Sequence, residues 1–164
     1  GCPFMLSLIL FKRLVTRSIT KRDIMEGIVR FLHYFPWGKA LLLWMLVIFY
    51  FSSLPGSPYP FDATTGYYIE RKGAHLVEYF VFFLLAYGLM RRWYPRERFS
   101  LLGVLAVFVA TLYGITDELH QYFTPFRGAK ITDVGIDTIG ALLAFGVLAL
   151  YRHFFYRSTK KPLE

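Results

Sequence analysis

Three short polar groups interrupt otherwise apolar stretches of this chain, and their residue types and spacing could support chemistry. Asp117, His120 and Gln121 stand at i, i+3 and i+4, so one helix face carries an acid, an imidazole and an amide, with Glu118 beside them. Upstream, Lys72, His75 and Glu78 or Tyr79 share a face in the same way, and downstream Asp133 and Asp137 lie one turn apart. Imidazole beside carboxylate is the material of acid–base or nucleophilic catalysis, in which the acid orients the base. Lys72 and Arg127 add cations suited to an anionic group such as a phosphate. Each charged group costs about 2.5–3.5 kcal/mol near the centre of a membrane helix, so such groups are seldom placed there without a reason.

The catalytic candidates are therefore His75, Glu78, Asp117, His120 and Asp133, with either histidine as base or nucleophile and Asp117 or Glu78 orienting it. The substrate-binding candidates are Lys72, Tyr79, Glu118, Gln121, Arg127 and Asp137. No Gly-x-Ser-x-Gly elbow is present, which argues against a serine triad and favours phosphoryl or acyl transfer by histidine and carboxylates. No cofactor is expected. The alternative is a divalent metal on His75, Glu78, His120 and the aspartates, although no His-Glu-x-x-His signature supports it. A plainer reading is that these groups pair to lock helix register. Registry needs only a pair or two, whereas this chain gathers several acids, two histidines and two cations.

The elements that must position these residues are membrane helices. Of 164 residues, 55% are hydrophobic and 20% aromatic, above the 45–50% apolar share of an ordinary soluble domain. Apolar segments run from Ala40 to Leu54, Ala74 to Met90, Phe99 to about Ile115, and about Val134 to Tyr151. Each is near the lower length limit for crossing some 30 Å of hydrocarbon. Gly103, Gly114, Gly140 and Gly146 imply close helix contacts. Ahead of these spans, Thr20-Lys-Arg-Asp23 has capping-box spacing, and Ile24, Ile28, Phe31, Leu32 and Phe35 line one side of the following segment beneath basic residues, the pattern of a helix lying on a membrane surface. The expected fold is all-α: a compact four-helix transmembrane bundle with an N-terminal amphipathic interfacial helix. Its parts are a membrane-surface segment over 5–37, a four-span domain over 38–155 and a basic cytoplasmic tail over 156–164.

The net charge of +8 would suggest nucleic acid in a soluble protein. Here the basic residues flank apolar segments, so they read as topology signals and contacts to anionic headgroups, with no nucleic-acid partner. Fifteen of the nineteen Lys and Arg fall before the first span, between the second and third, or after the fourth. Only Arg71, Lys72, Arg127 and Lys130 fall in the other two connections. The positive-inside rule then places both termini in the cytoplasm and all three polar groups at the outer face of the cell membrane. The single cysteine, Cys2, excludes an internal disulfide and a cysteine-ligated metal cluster.

The ordered motifs Ser52-Ser53-Leu-Pro55, Lys72-x-x-His75-x-x-Glu78-Tyr79, Thr116-Asp-Glu-Leu-His-Gln-Tyr-Phe-Thr-Pro-Phe-Arg127 and Asp133-Val-x-x-Asp137-x-x-Gly140 together resemble the VanZ-like family over about residues 40 to 150. The resemblance implies a small multispanning bacterial membrane protein, in a family named for a member linked to teicoplanin resistance. Asp137 stands where that family often has Asn, which adds a potential charge. Two functions are expected to compete: an enzyme acting on a lipid or cell-envelope precursor, and a non-catalytic module binding an envelope lipid or glycopeptide-like ligand. Membrane lipids or a lipid-linked precursor are the expected partners, and the oligomeric state is left open. A transporter is disfavoured, because the polar groups cluster at one end of the spans and do not thread them.

Overall fold

The computed structural model describes Gly27, residues 34–56 and residues 65–158, without side chains for 65–68, 70 and 155–158. The chain divides into two compact units, Gly1–Phe35 and Pro36–Glu164, and the second contains all the helices described below. The expected surface segment 5–37 and tail 156–164 lie almost wholly outside the described residues.

Four helices make up the bundle: α1 (Trp37–Ser53), α2 (Thr65–Trp93), α3 (Phe99–Tyr122) and α4 (Ile131–Ser158). No strand occurs among the described residues. Proline sets several of the boundaries. Pro36 precedes α1 and its carbonyl accepts the Ala40 amide at 2.9 Å, Pro55 follows the end of α1, and Pro95 stands two residues past α2. Arg91 and Arg92 occupy the last turn of α2, where cations favour the carbonyl end of the helix dipole.

Three helices contain spans long and apolar enough to cross a membrane: Arg71–Trp93, Phe99–Tyr122 and Ile131–Phe154. The shorter apolar α1 has 17 residues and a length of about 26 Å, the lower limit for crossing. Large apolar side chains such as Phe108, Leu142 and Val147 are exposed on the outside of the bundle, as lipid contact requires. The protein is an all-helical membrane bundle.

Small residues decide how the helices meet. Ala106, Ala110 and Gly114 of α3, with Gly140, Ala141 and Ala144 of α4, form a thin-walled seam that admits the bulky face of α2. Tyr79, Phe82 and Phe83 are fully buried against it. Their rings continue outward in contacts of 5.1 Å between Phe82 and Tyr113 and 5.8 Å between Phe83 and Phe145. Gly140 marks a close backbone approach of α4 to α2, since a Cβ there would meet the Leu76 carbonyl oxygen at 2.4 Å. Helix α2 packs against the other three, while α1 lies on α2 and α3. Trp44 Nε1 donates to the Glu78 carbonyl at 2.9 Å and Tyr113 Oη donates to the Met45 carbonyl at 2.7 Å, which fixes α1 at that position.

The helices extend past the apolar segments read from the sequence. Arg71 and Lys72 lie within α2, and α3 carries Asp117 through Gln121 as helix, well past Ile115, leaving residues 123–130 between α3 and α4. Hydropathy marks where lipid contact ends, whereas the helix continues wherever its polar side chains find partners on neighbouring helices.

Candidate functional site

The polar residues of α2, α3 and α4 meet at one end of the bundle. α2 and α4 run parallel there and are joined by two successive rungs. Lys72 Nζ lies 3.6 Å from Asp133 Oδ1, and one turn further in His75 Nδ1 lies 3.0 Å from Asp137 Oδ1. The outer rung is half-exposed at Lys72 and contributes little, about 0–1 kcal/mol. The inner rung is buried at both partners. Asp137 is fully enclosed, and its second oxygen, Oδ2, has no hydrogen-bond partner. Gly114 of α3 makes this possible, because a Cβ there would come within 2.9 Å of that oxygen. The Tyr79 ring presses on the same point of Gly114, and its buried hydroxyl is also without a partner.

Helix α3 contributes two buried acids on adjacent faces. Asp117 Oδ2 accepts the Gln121 side-chain amide at 2.8 Å, and Gln121 Oε1 in turn accepts Arg71 Nη2 at 3.4 Å. Glu118 Oε2 accepts the Lys130 backbone amide at 2.7 Å, so a carboxylate from α3 satisfies an N–H at the start of α4. The other oxygen, Oε1, is buried without a partner. His75, Asp117 and Glu118 each offer one ligand atom, and these atoms lie within 4.8 Å of one another. With Nδ1 taken by Asp137, Nε2 is the nitrogen left to His75 for chemistry.

A cavity of about 450 Å³ opens beside this cluster, within the size range of small-molecule sites. Trp44, Ile48, Phe51 and Leu54 provide an apolar wall, and Arg71, His75, Glu78, Asp117, Gln121 and Arg127 a polar one. Arg127 is held there by the loop after α3. Its Nη1 donates to the Ser52 carbonyl at 3.3 Å, and Thr124 Oγ1 reaches the same carbonyl at 3.5 Å. Phe126 adopts a φ of 58° in that loop, and the chain at Gly56 lies against it, with the Gly56 amide donating to the Pro125 carbonyl at 3.0 Å. A Cβ on Gly56 would collide with the Phe126 carbonyl, so this junction requires glycine.

Most residues singled out in the sequence meet here, but not all of them in the same way. His75, Glu78, Asp117, Gln121 and Arg127 share the cavity wall; Lys72, Tyr79, Glu118, Asp133 and Asp137 surround His75 without lining the cavity. His120 is set apart from the cluster. Its Nε2 is 3.0 Å from Ser53 Oγ, and its ring lies 4.5 Å from that of Phe49 on α1. Although it stands one turn from Asp117, α1 draws it to another side of α3. The group that orients His75 is Asp137, not Asp117 or Glu78. Ser52 and Trp44 line the cavity without having stood out, and the only sequence signal for Ser52 was the Ser52-Ser53-Leu-Pro55 motif.

Helical spans with a buried acid–histidine cluster at one end define a polytopic membrane protein with a polar cavity. The family model described as VanZ/LLP1 matches residues 37–152, which takes in α1, α2, α3, α4 as far as Arg152, and every residue of this cluster. The chain belongs to the VanZ/LLP1 family. No curated protein and no solved structure matches it.

Proposed function

We propose that this protein acts at the outer face of the cell membrane on a phosphate-bearing lipid or lipid-linked cell-envelope precursor, with His75 and its carboxylates at the reacting end. The observation that carries this reading is the lining of the cavity. Trp44, Ile48, Phe51 and Leu54 offer apolar surface for a lipid chain, and Arg71 and Arg127 line the same cavity as His75, Glu78 and Asp117. Arginine recognises phosphate through its planar fork of donors. Asp137 on Nδ1 fixes the imidazole so that Nε2 serves as the base, and Glu78 on the cavity wall is the second acid–base group. The distribution of basic residues supports the outward orientation, with both termini in the cytoplasm. Action on an envelope precursor would be consistent with the link to glycopeptide resistance that the family resemblance implies.

The test is turnover. Purified protein in vesicles made from bacterial envelope lipids should convert one lipid class, and His75→Ala should abolish that conversion when compared at matched amounts of folded protein. The apolar share of the cavity also favours a second reading, a non-catalytic module that holds an envelope lipid or glycopeptide-like ligand. Under that reading, the ligand is recovered chemically unchanged after long incubation, and Arg127→Ala lowers its retention as strongly as His75→Ala.

A further inference from the structure

We infer that His75, Asp117 and Glu118 form a binding site for one divalent metal ion, with Asp137 holding His75 in place from behind. The inference goes beyond the lipid reading and does not rest on it, since a cation can bind whether or not the cavity turns a substrate over.

Four observations lead to it. The three ligand atoms already lie within 4.8 Å of one another, and all three residues are buried. A point within about 2.8 Å of all three atoms therefore exists, so closing to bonds of about 2.1 Å asks each ligand to move by at most roughly 0.7 Å. The second observation is Glu118 Oε1, a carboxylate oxygen enclosed within a residue only 4% exposed and with no hydrogen-bond partner. Such an atom is costly to bury and demands a cation or a donor.

Third, the second ring nitrogen of His75 is bound to a carboxylate, the arrangement that fixes the tautomer and orientation of metal-ligating histidines. Fourth, the cluster is rich in buried acid. Asp117, Glu118 and Asp137 are all buried, yet none makes an ion pair with Lys or Arg among the described residues. Lys72 is spent on Asp133, and Arg71 reaches Gln121. A metal on His75 Nε2 would offset that acid from within. The donor set of one imidazole and two carboxylates suits a divalent transition metal such as zinc or manganese, with the cavity supplying its open position. Where a cation is bound, His75 is a ligand and no longer the base.

The experiment uses full-length protein purified in detergent, stripped with chelator, and titrated separately with Zn²⁺ and Mn²⁺ while bound metal and melting temperature are recorded. One equivalent of at least one ion should bind and raise the melting temperature, and EDTA should reverse the rise. Asp137→Asn should weaken binding by about 10–100-fold, and Asp117→Asn or Glu118→Gln by more, while His153→Ala, at the far end of α4, leaves it unchanged. Two results overturn the inference: no saturable binding of either ion to the wild type, or a stoichiometric site indifferent to all three cluster substitutions. The wild-type titration decides the matter even if a variant fails to fold. A wild type that binds no metal yet turns over lipid overturns the metal site and leaves His75 as base.

Discussion

Asp137 Oδ1 lies 3.0 Å from His75 Nδ1 across the parallel helices α2 and α4, with 61 residues of chain between the two. Both groups are buried, and the pair is joined to α3 through Gly114, which admits the second Asp137 oxygen. The contact therefore fixes the geometry of three helices and the tautomer of the imidazole together.

Breaking that pair should cost stability and function at once. Asp137→Ala leaves His75 buried without its partner, and removing one member of a buried pair costs about 3–5 kcal/mol. Asp137→Asn keeps an acceptor oxygen and the shape, so it should lose far less stability. Thermal unfolding in detergent, run beside a functional assay, distinguishes the two: function falls in both variants, and melting temperature falls sharply only in the alanine one.

The Gly140 contact predicts a mechanical route to the same loss. A methyl group there meets the Leu76 backbone carbonyl, which cannot rotate away as a side chain would. Gly140→Ala should therefore separate α2 from α4 at a cost of about 1–3 kcal/mol. Cysteines placed at positions 72 and 133 in this background should crosslink more slowly than in the parent.

His75 and His120 should separate in mutagenesis. His120→Ala removes the hydrogen bond to Ser53 and the ring contact with Phe49, a loss of about 0.5–1.5 kcal/mol from the α1–α3 interface. His75→Ala removes the imidazole from the cavity wall. The expected result is a modest fall in melting temperature with function retained for His120→Ala, against loss of function for His75→Ala. The readout is turnover or ligand retention at matched protein levels.

Ser52 offers a way to block the cavity without touching its charges. Its hydroxyl is buried without a partner, so replacing it leaves no new group unsatisfied. Ser52→Val should leave the melting temperature within about 1 kcal/mol equivalent of the parent while narrowing the cavity. Ligand retention should drop, as a filled cavity dictates.

The sequence made the architecture legible because lipid imposes the strongest rule in it: apolar stretches of nearly membrane-spanning length separated by basic connections. It also brought out the residues of the cluster, since charged groups beside a membrane span are costly enough to stand out singly. What it could not supply was their pairing. Helical spacing puts Asp117, His120 and Gln121 on one face, yet Gln121 bonds to Asp117 while α1 captures His120. Spacing within a helix says nothing of which neighbour each side of that face meets. For the same reason Asp137 did not emerge as the partner of His75: the contact depends on the register of α2 against α4, set by Gly140 and Gly114. Glu118 as a cap on α4 was equally hidden, because its partner is a backbone amide.

The cavity between α1, α2 and α3 is proposed to hold a phosphate-bearing lipid headgroup against His75. Native mass spectrometry of the protein released from nanodiscs of bacterial envelope lipids measures that occupancy. One phosphate-bearing lipid or lipid-linked precursor should be retained per wild-type chain, reduced at least about tenfold, or about 1.4 kcal/mol, by Arg127→Ala and by Ser52→Val. Retention of the same lipids, in the same amounts, by wild type and both variants would rule the proposed occupancy out.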